Sequence, residues 1–280
     1  MRTDKQIAVR TYVRAREDFQ AMRKRMDNRI GRKADGKSQE LKESRIYNEA
    51  DLKNFDTLSV EARKQEGEIS KMLKNVLKEF PVYTEWLVDV KGVGEIASGW
   101  IVGEFDIEKA TTVSKMWQYS GLNPGMVRGK IRVEVKKYKE EMGEIIATFV
   151  DEKGKPEAYI ILTNELIRGD KATPGFLLPF NKRLRTALIG VLAPGFIKCK
   201  SPYALEHYYP YKARLEQEEN KANGNGKAWK DVSKGHRDNA ARRFMIKAFL
   251  RDLYAAWRDL EGLPVRVPYQ EEYLGHKHVA

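Results

Sequence analysis

Residues 87–99 read Leu-Val-Asp-Val-Lys-Gly-Val-Gly-Glu-Ile-Ala-Ser-Gly and set Gly92 and Gly94 between an apolar segment and the start of a helix. Glycine allows positive φ and close approach of the main chain to a ligand. The N–H groups that open a helix have no intrahelical partner and carry the positive end of its dipole. An anionic oxygen fits such a turn. The chemistry on offer at Lys91, Gly92, Val93 and Gly94 is backbone binding of phosphate, in the pattern of a helix-hairpin-helix. The competing reading is a tight corner between two helices.

Side chains suited to covalent or metal chemistry are sparse. His207, His236, His276 and His278 are scattered, and their spacing describes no metal site. Cys199 is the only cysteine, which excludes an intramolecular disulfide, and it reads as a small buried hydrophobe. No nucleophile-elbow motif nominates a Ser-His-Asp or Cys-His arrangement. Glycosylases with a helix-hairpin-helix keep a catalytic Lys or Asp a short way beyond it, a window that here holds Asp106, Lys109 and Lys115. The residues around them match that pattern poorly, and no catalytic residue, metal ligand or cofactor is expected.

Charge strengthens the phosphate reading. The 280 residues carry 52 Lys and Arg against 40 Asp and Glu, a net charge of +12, as expected of a protein held against polyanions. Anionic membranes and ribosomes select for basicity too. Hydrophobic residues make up 41% of the chain, enough for one large domain or two small ones. No apolar run is long enough to span a bilayer and no signal-peptide core follows Met1, so a cytoplasmic protein without membrane contact is expected.

The elements that must hold the turn are helical. Ala8, Tyr12, Ala15, Phe19, Met22, Met26 and Ile30 recur at helical spacing and share one face. Arg10, Arg14, Arg23, Lys24, Arg25 and Arg29 fall on the others, as a solvated face or a phosphate-facing one. Residues 31–38, with Arg32, Lys33, Gly36 and Lys37, form a flexible break. Leu58, Ala62, Gln65, Ile69, Met72, Val76 and Phe80 then repeat the rhythm up to Pro81. These two helices either close into an antiparallel hairpin or dimerise as a coiled coil, which makes a homodimer an expected arrangement.

Beyond the turn, residues 96–104 continue as a short helix, and residues 111–121 form another, capped by Thr112 or Ser114, with Trp117, Tyr119 and Leu122 packed beneath. Residues 131–135 alternate like a strand. The β-branched runs 145–150 and 158–163 read as a hairpin around residues 151–156, with a helix over 140–148 as the competitor. Asn181-Lys182-Arg183-Leu184-Arg185 opens an apolar helix through Leu188, Val191 and Leu192, closed by Pro194-Gly195. Tyr203, Tyr208, Tyr209 and Tyr211 crowd one segment, as a packed surface or as partners for bases and phosphates. Residues 220–227 read as a polar linker. A last helix over 237–260 turns Met245, Phe249, Leu253, Ala256 and Leu260 to a core and carries a basic stripe, Arg243, Lys247, Arg251 and Arg258, suited to salt-dependent phosphate tracking.

Four segments in order, "VKGVGEIASGWIVGEF", "WQYSGLNPG", "NKRLRTALI" and "GHRDNAARRFMIKAFLRDLYAAWRDL", resemble the C-terminal Tnp domain of the bridge-RNA-guided insertion-sequence transposases. Those enzymes join a RuvC-like domain bearing four acidic metal ligands to a helix-hairpin-helix domain. The resemblance covers roughly residues 57–262. It implies a mainly α, Tnp-like helical fold with a helix-hairpin-helix and a small β-hairpin insertion. It also implies nucleic-acid contacts at Gly92, Val93, Gly94, Lys182, Arg183, Arg185, Arg242 and Arg243, to which the basic stripe adds Lys247 and Arg251. Catalysis does not carry over: residues 1–56 are too few and too helical for a RuvC-like domain. Where the family places its nucleophilic serine, this chain reads Thr173-Pro174-Gly175-Phe176-Leu177-Leu178-Pro179-Phe180. The expected organisation is a basic N-terminal region (1–56), a helix with the hairpin (57–126), a small-sheet insertion (127–170), a basic helical part (171–270) and a tail (271–280). The expected partner is duplex or branched DNA, with RNA as the other polyanion. The expected role is that of a transposase-like binder from a mobile element or virus. The alternatives are a recombinase subunit completed by a RuvC-like partner in trans and a helical protein-protein adaptor.

Overall fold

Thr3 starts the first helix as a capping box: its hydroxyl accepts from the Gln6 N–H and the Gln6 side chain accepts from the Thr3 N–H, both at 3.2 Å. In the computed structural model, which describes residues 3–31, 48–222 and 226–266, the chain divides into two compact units, Met1–Asp106 and Ile107–Ala280. Most of the described residues are helical, with one small antiparallel sheet.

In the first unit α1 (Asp4–Arg29) and α2 (Glu49–Leu77) form an intrachain antiparallel hairpin. The expected domain boundary at 56/57 lies inside α2. Most of the expected break at residues 31–38 falls outside the described residues.

Over most of its length the seam between α1 and α2 is one position off the apolar stripes, while Ala62, Ile30 and Phe80 are buried as expected. The buried residues are Gln6, Val9, Val13, Asp27 and Ile30 on α1, and Ser59, Ala62, Glu66, Leu73 and Leu77 on α2. Leu58 and Met72, expected inside, are exposed. The rotated face packs Val13 and Leu73 against Gly99 of the helix that follows and is lined by ion pairs. Glu66 takes the Arg16 guanidinium at 2.6 Å and Arg23 Nε at 2.8 Å, while Asp27 takes Arg23 at 3.2 Å and the Ser59 hydroxyl. Arg23, expected on an outer face, is therefore committed to this seam, and its pKa is raised by its bonds to Glu66 and Asp27 despite partial burial.

Past α3 (Pro81–Glu85), α4 (Glu95–Glu104) packs against the hairpin. Gly99 and Gly103 make the close approach possible: a Cβ on Gly99 would lie 2.7 Å from Val13 Cγ2, and one on Gly103 would lie 2.9 Å from Arg10 Cγ.

The second unit opens with α5 (Val113–Tyr119), preceded by Thr112 as its cap residue, and burying Val113 and Met116, with Leu122 buried just beyond it. Three antiparallel strands follow, β1 (Met126–Glu134), β2 (Glu144–Val150) and β3 (Pro156–Arg168), in the order β1-β3-β2. The β2–β3 connection is the expected hairpin: Asp151 Oδ1 accepts from the Lys153 and Lys155 N–H groups at 2.9 and 2.8 Å. The competing helix over 140–148 does not form. A short 3₁₀ turn, Glu140–Met142, ends at Gly143 with φ 128°, and β2 begins.

The basic helix starts at Asn181, whose side chain accepts from the Leu184 N–H at 3.0 Å. Contrary to expectation, Pro194-Gly195 does not close it. α6 (Lys182–Ala187) runs through a π-helical turn, Leu188–Leu192, into α7 (Ala193–Lys198). A second π-helical turn, Ala204–Tyr208, leads into α8 (Tyr209–Gln217). Each wide turn ends two residues before a proline, Pro194 or Pro210. A proline inside a helix loses one donor and its ring strikes the carbonyl four residues back. Widening the preceding turn moves that carbonyl aside, so the rod continues.

The polar segment 220–227 is a closed turn in its described part, where the Ala222 N–H donates to Lys227 O at 2.7 Å and the Trp229 N–H to Asn220 O at 3.0 Å. α9 (Lys234–Leu260), capped by the Ser233 side chain, is the core of this unit. It buries Met245, Phe249 and Leu253 as expected of its apolar face, and Trp257 as well, with Phe196 and Tyr203 around Phe249. Ala256 and Leu260 are only half-buried. Cys199, expected to be buried, is half-buried, its thiol 3.6 Å from Phe196 O. The expected tail, with His276 and His278, lies outside the described residues. Among the described residues no helix is long and apolar enough to cross a membrane.

Candidate nucleic-acid interface

In the first unit the chain enters the glycine turn through a short 3₁₀ segment, Leu87–Asp89, whose Leu87 side chain is fully buried. The limb before the turn is thus α3 plus this segment, broken at Trp86, and not one continuous helix. The Val93 N–H donates to Val90 O at 2.9 Å, closing a turn with Gly92 in third position at φ 101°. That position of a type II turn needs positive φ, so glycine is required there. Gly94 is the extended cap residue of α4, and a Cβ added to it would meet nothing within 4 Å. Lys91, Gly92 and Gly94 are exposed and Val93 is half-buried. An anionic group already sits at this helix end. The Glu95 carboxylate is 2.9 Å from Lys74 Nζ, and its pKa is lowered by that bond and by its own backbone N–H. A phosphate entering the turn meets this carboxylate.

The positive charge is concentrated in the other unit. Residues 107–280 carry 31 Lys and Arg against 21 Asp and Glu, whereas residues 1–106 carry 21 against 19. Between Asp170 and Glu206 the sequence has no acid and six cations, Lys171, Lys182, Arg183, Arg185, Lys198 and Lys200. Three of them lie in α6, whose position is fixed by its cap: the Asn181 N–H donates to Tyr119 O at 2.8 Å and Asn181 Nδ2 to the Tyr119 hydroxyl at 3.1 Å. Lys182 and Arg183 thus occupy the first turn of a helix, where cations oppose the dipole. Local stability does not account for that choice.

Arg185 donates to Asp170 O at 2.6 Å, and its guanidinium lies 4.8 Å from the centre of the Phe180 ring. Burial and the nearby Arg243 guanidinium both depress its pKa. The carboxylate of Asp170 is occupied by Arg168 through two hydrogen bonds of 3.0 Å. One α-helical turn beyond Arg243, the Lys247 ammonium lies 4.3 Å from the centre of the Trp117 ring, while the Trp117 indole N–H donates to Lys247 O at 3.1 Å. Burial pushes the Lys247 pKa down. Arg243 and Lys182 remain exposed. Arg185 on Phe180 and Lys247 on Trp117 are thus cations on aromatic platforms, and Arg185 and Arg243 repel one another, which an anion would relieve.

Several expected contacts are committed elsewhere. Arg242 Nε stands 2.8 Å from Asp238, off the hydrogen-bonding axis, and Asp238 also receives Lys212 and the Tyr208 hydroxyl. Arg251 pairs with Asp252 at 2.8 Å, and Asp252 accepts the Tyr203 hydroxyl at 3.0 Å. Burial, with Asp252 next, pushes the Tyr203 pKa up. Arg258 leaves the basic stripe altogether: it is 5% exposed and spends its guanidinium on backbone carbonyls. Phe180, a platform that the sequence reading did not single out, directly precedes the Asn181 cap, an aromatic five positions from Arg185. Comparison of the chain with family models, curated proteins and solved structures finds no match.

Proposed function

We propose that this chain is a nucleic-acid-binding protein of the transposase Tnp kind, which holds phosphates through the cations of α6 and the middle of α9. The observation that supports the reading is the repulsion between Arg185 and Arg243, with Lys182 and Lys247 on the same two helices and the carboxylate of Asp170 already occupied by Arg168. Side chains that repel one another gain most when an anion arrives, and phosphates spaced along a strand suit a row of them. Contacts of this type position a strand without reading its sequence.

The turn at Lys91, Gly92, Val93 and Gly94 is assigned a phosphate contact of its own, as a helix-hairpin-helix. Its test follows from Glu95. The Glu95→Gln variant removes the carboxylate that meets the phosphate, so it is expected to bind duplex DNA about threefold more tightly, a gain of a few tenths to one kcal/mol typical of helix-end charges. Its small loss of stability is confined to pH above the ordinary carboxylate range. Glu95 has a lowered pKa in the folded chain, so its contribution is present there and disappears as pH falls through that value. Unchanged affinity in the folded variant removes the turn from the binding surface. Titration of duplex DNA, branched DNA and structured RNA across a salt series, with Mg²⁺ and a nicking readout, tests the whole reading. Submicromolar, salt-steep binding supports it. Salt-insensitive or absent binding favours the adaptor, and cleavage favours an active recombinase.

A further inference from the structure

Next to the cations, the second unit carries a ladder of π faces that phosphate binding leaves unused. The Phe244 and Tyr211 rings are stacked, with centroids 4.3 Å apart and planes within 13°. The Arg214 guanidinium covers Tyr211 at 4.7 Å from the ring centre. His207 meets Phe244 edge-on at 5.9 Å and leads back to Tyr203 and the buried Phe249. The ladder is thus anchored in the core at Phe249 and ends where Arg214 covers Tyr211, and between the two Phe244 is 39% exposed. The acids beside it, Asp238 and Asp252, are held by Arg242, Lys212 and Tyr208 and by Arg251 and Tyr203.

Phe244 packs on Tyr211 and against His207 and still leaves 39% of its surface open, so part of an aromatic side chain stays available beside Arg243. Phe244 directly follows Arg243, so the two side chains diverge by about 100° around α9 while their Cα atoms stay about 3.8 Å apart. A backbone phosphate on Arg243 leaves its own base within reach of the Phe244 ring. Bases inside a duplex are stacked on each other and cannot use such a face, whereas unpaired bases can.

We infer that Phe244 is a base-stacking residue, and that it makes this surface prefer single-stranded nucleic acid over duplex. The inference rests on the phosphate reading of the same surface, and the two can fail separately. The probes are an oligodeoxythymidylate, a duplex of the same length, and a single strand carrying one 2-aminopurine, each titrated at one fixed salt concentration. The Phe244→Leu variant keeps an apolar side chain of similar bulk and loses the π face.

It is expected to bind the single strand about tenfold more weakly, to change less than twofold on the duplex, and to keep the wild-type salt slope. Phe244→Trp is expected to restore single-strand affinity, and 2-aminopurine fluorescence should be quenched on binding wild type and not on binding Phe244→Leu. Equal single-strand affinities of wild type and Phe244→Leu, or equal losses on both probes, overturn the stacking role and leave phosphate binding standing. Failure of wild type to bind either probe overturns both.

Discussion

Replacing Arg185 and Arg243 together by glutamine is expected to lower affinity for nucleic acid by on the order of 100-fold at low salt, because the proposed site loses two charge-assisted hydrogen bonds to phosphate. The same double variant flattens the dependence of log K on log salt by about two units, one for each phosphate no longer neutralised. Arg243→Gln alone is the cleaner probe. Its side chain is exposed, so the variant should match wild type in stability within about 0.5 kcal/mol while losing about half of the slope change. Arg185 also holds Asp170 O and the Phe180 ring, and its replacement has a structural cost that thermal unfolding will show. Lys182→Gln serves as a third point on the same helix. If the Arg243 variant keeps the full salt slope, the gathered cations are solvated surface and the phosphate reading falls with them.

How far the sequence carried this reading depends on how local each signal was. The Asn181 cap, the strand alternation at residues 131–135 and the Asp151 turn were legible because each is set by a few neighbouring residues. The seam of the α1–α2 hairpin was not. Counting apolar positions favours the stripe through Tyr12, Phe19 and Met22, whereas the buried face, one position on, combines Val9, Val13, Leu73 and Leu77 beneath α4 with the pairing of Arg16 and Arg23 to Glu66 across the two helices. Pro194 read as a helix end because proline removes a donor; the π-helical turn that absorbs it is not a property of a few neighbouring residues in sequence. The same limit applies at the site. Lys182, Arg183, Arg185, Arg243 and Lys247 were legible as cations at helical spacing. Which cations of α9 are already neutralised depends on acids on the same helix, Asp238 and Asp252, and a positive stripe in sequence cannot tell a paired arginine from an open one.

Arg258 gives the sharpest separation between those two kinds of arginine. Its Nη1 donates to Ile107 O at 2.9 Å and Ala110 O at 3.1 Å, and its Nε donates to Pro264 O at 2.6 Å, so one side chain ties the end of α9 to the segment that opens the second unit. A guanidinium stays charged, and in this place its charge is balanced by carbonyl dipoles. The Arg258→Met variant keeps much of the aliphatic volume and strands three carbonyls. It is expected to lose about 3–5 kcal/mol of stability, or about 10 °C in Tm. Arg251→Met, on the same helix and partnered by Asp252 near the surface, should cost no more than about 1 kcal/mol. Urea unfolding of the two variants side by side measures the difference. Below its unfolding transition the Arg258→Met protein should bind with wild-type affinity and salt slope, since this arginine faces inward. Wild-type stability with weakened binding would instead return Arg258 to the basic stripe and show that the end of α9 opens to receive a phosphate.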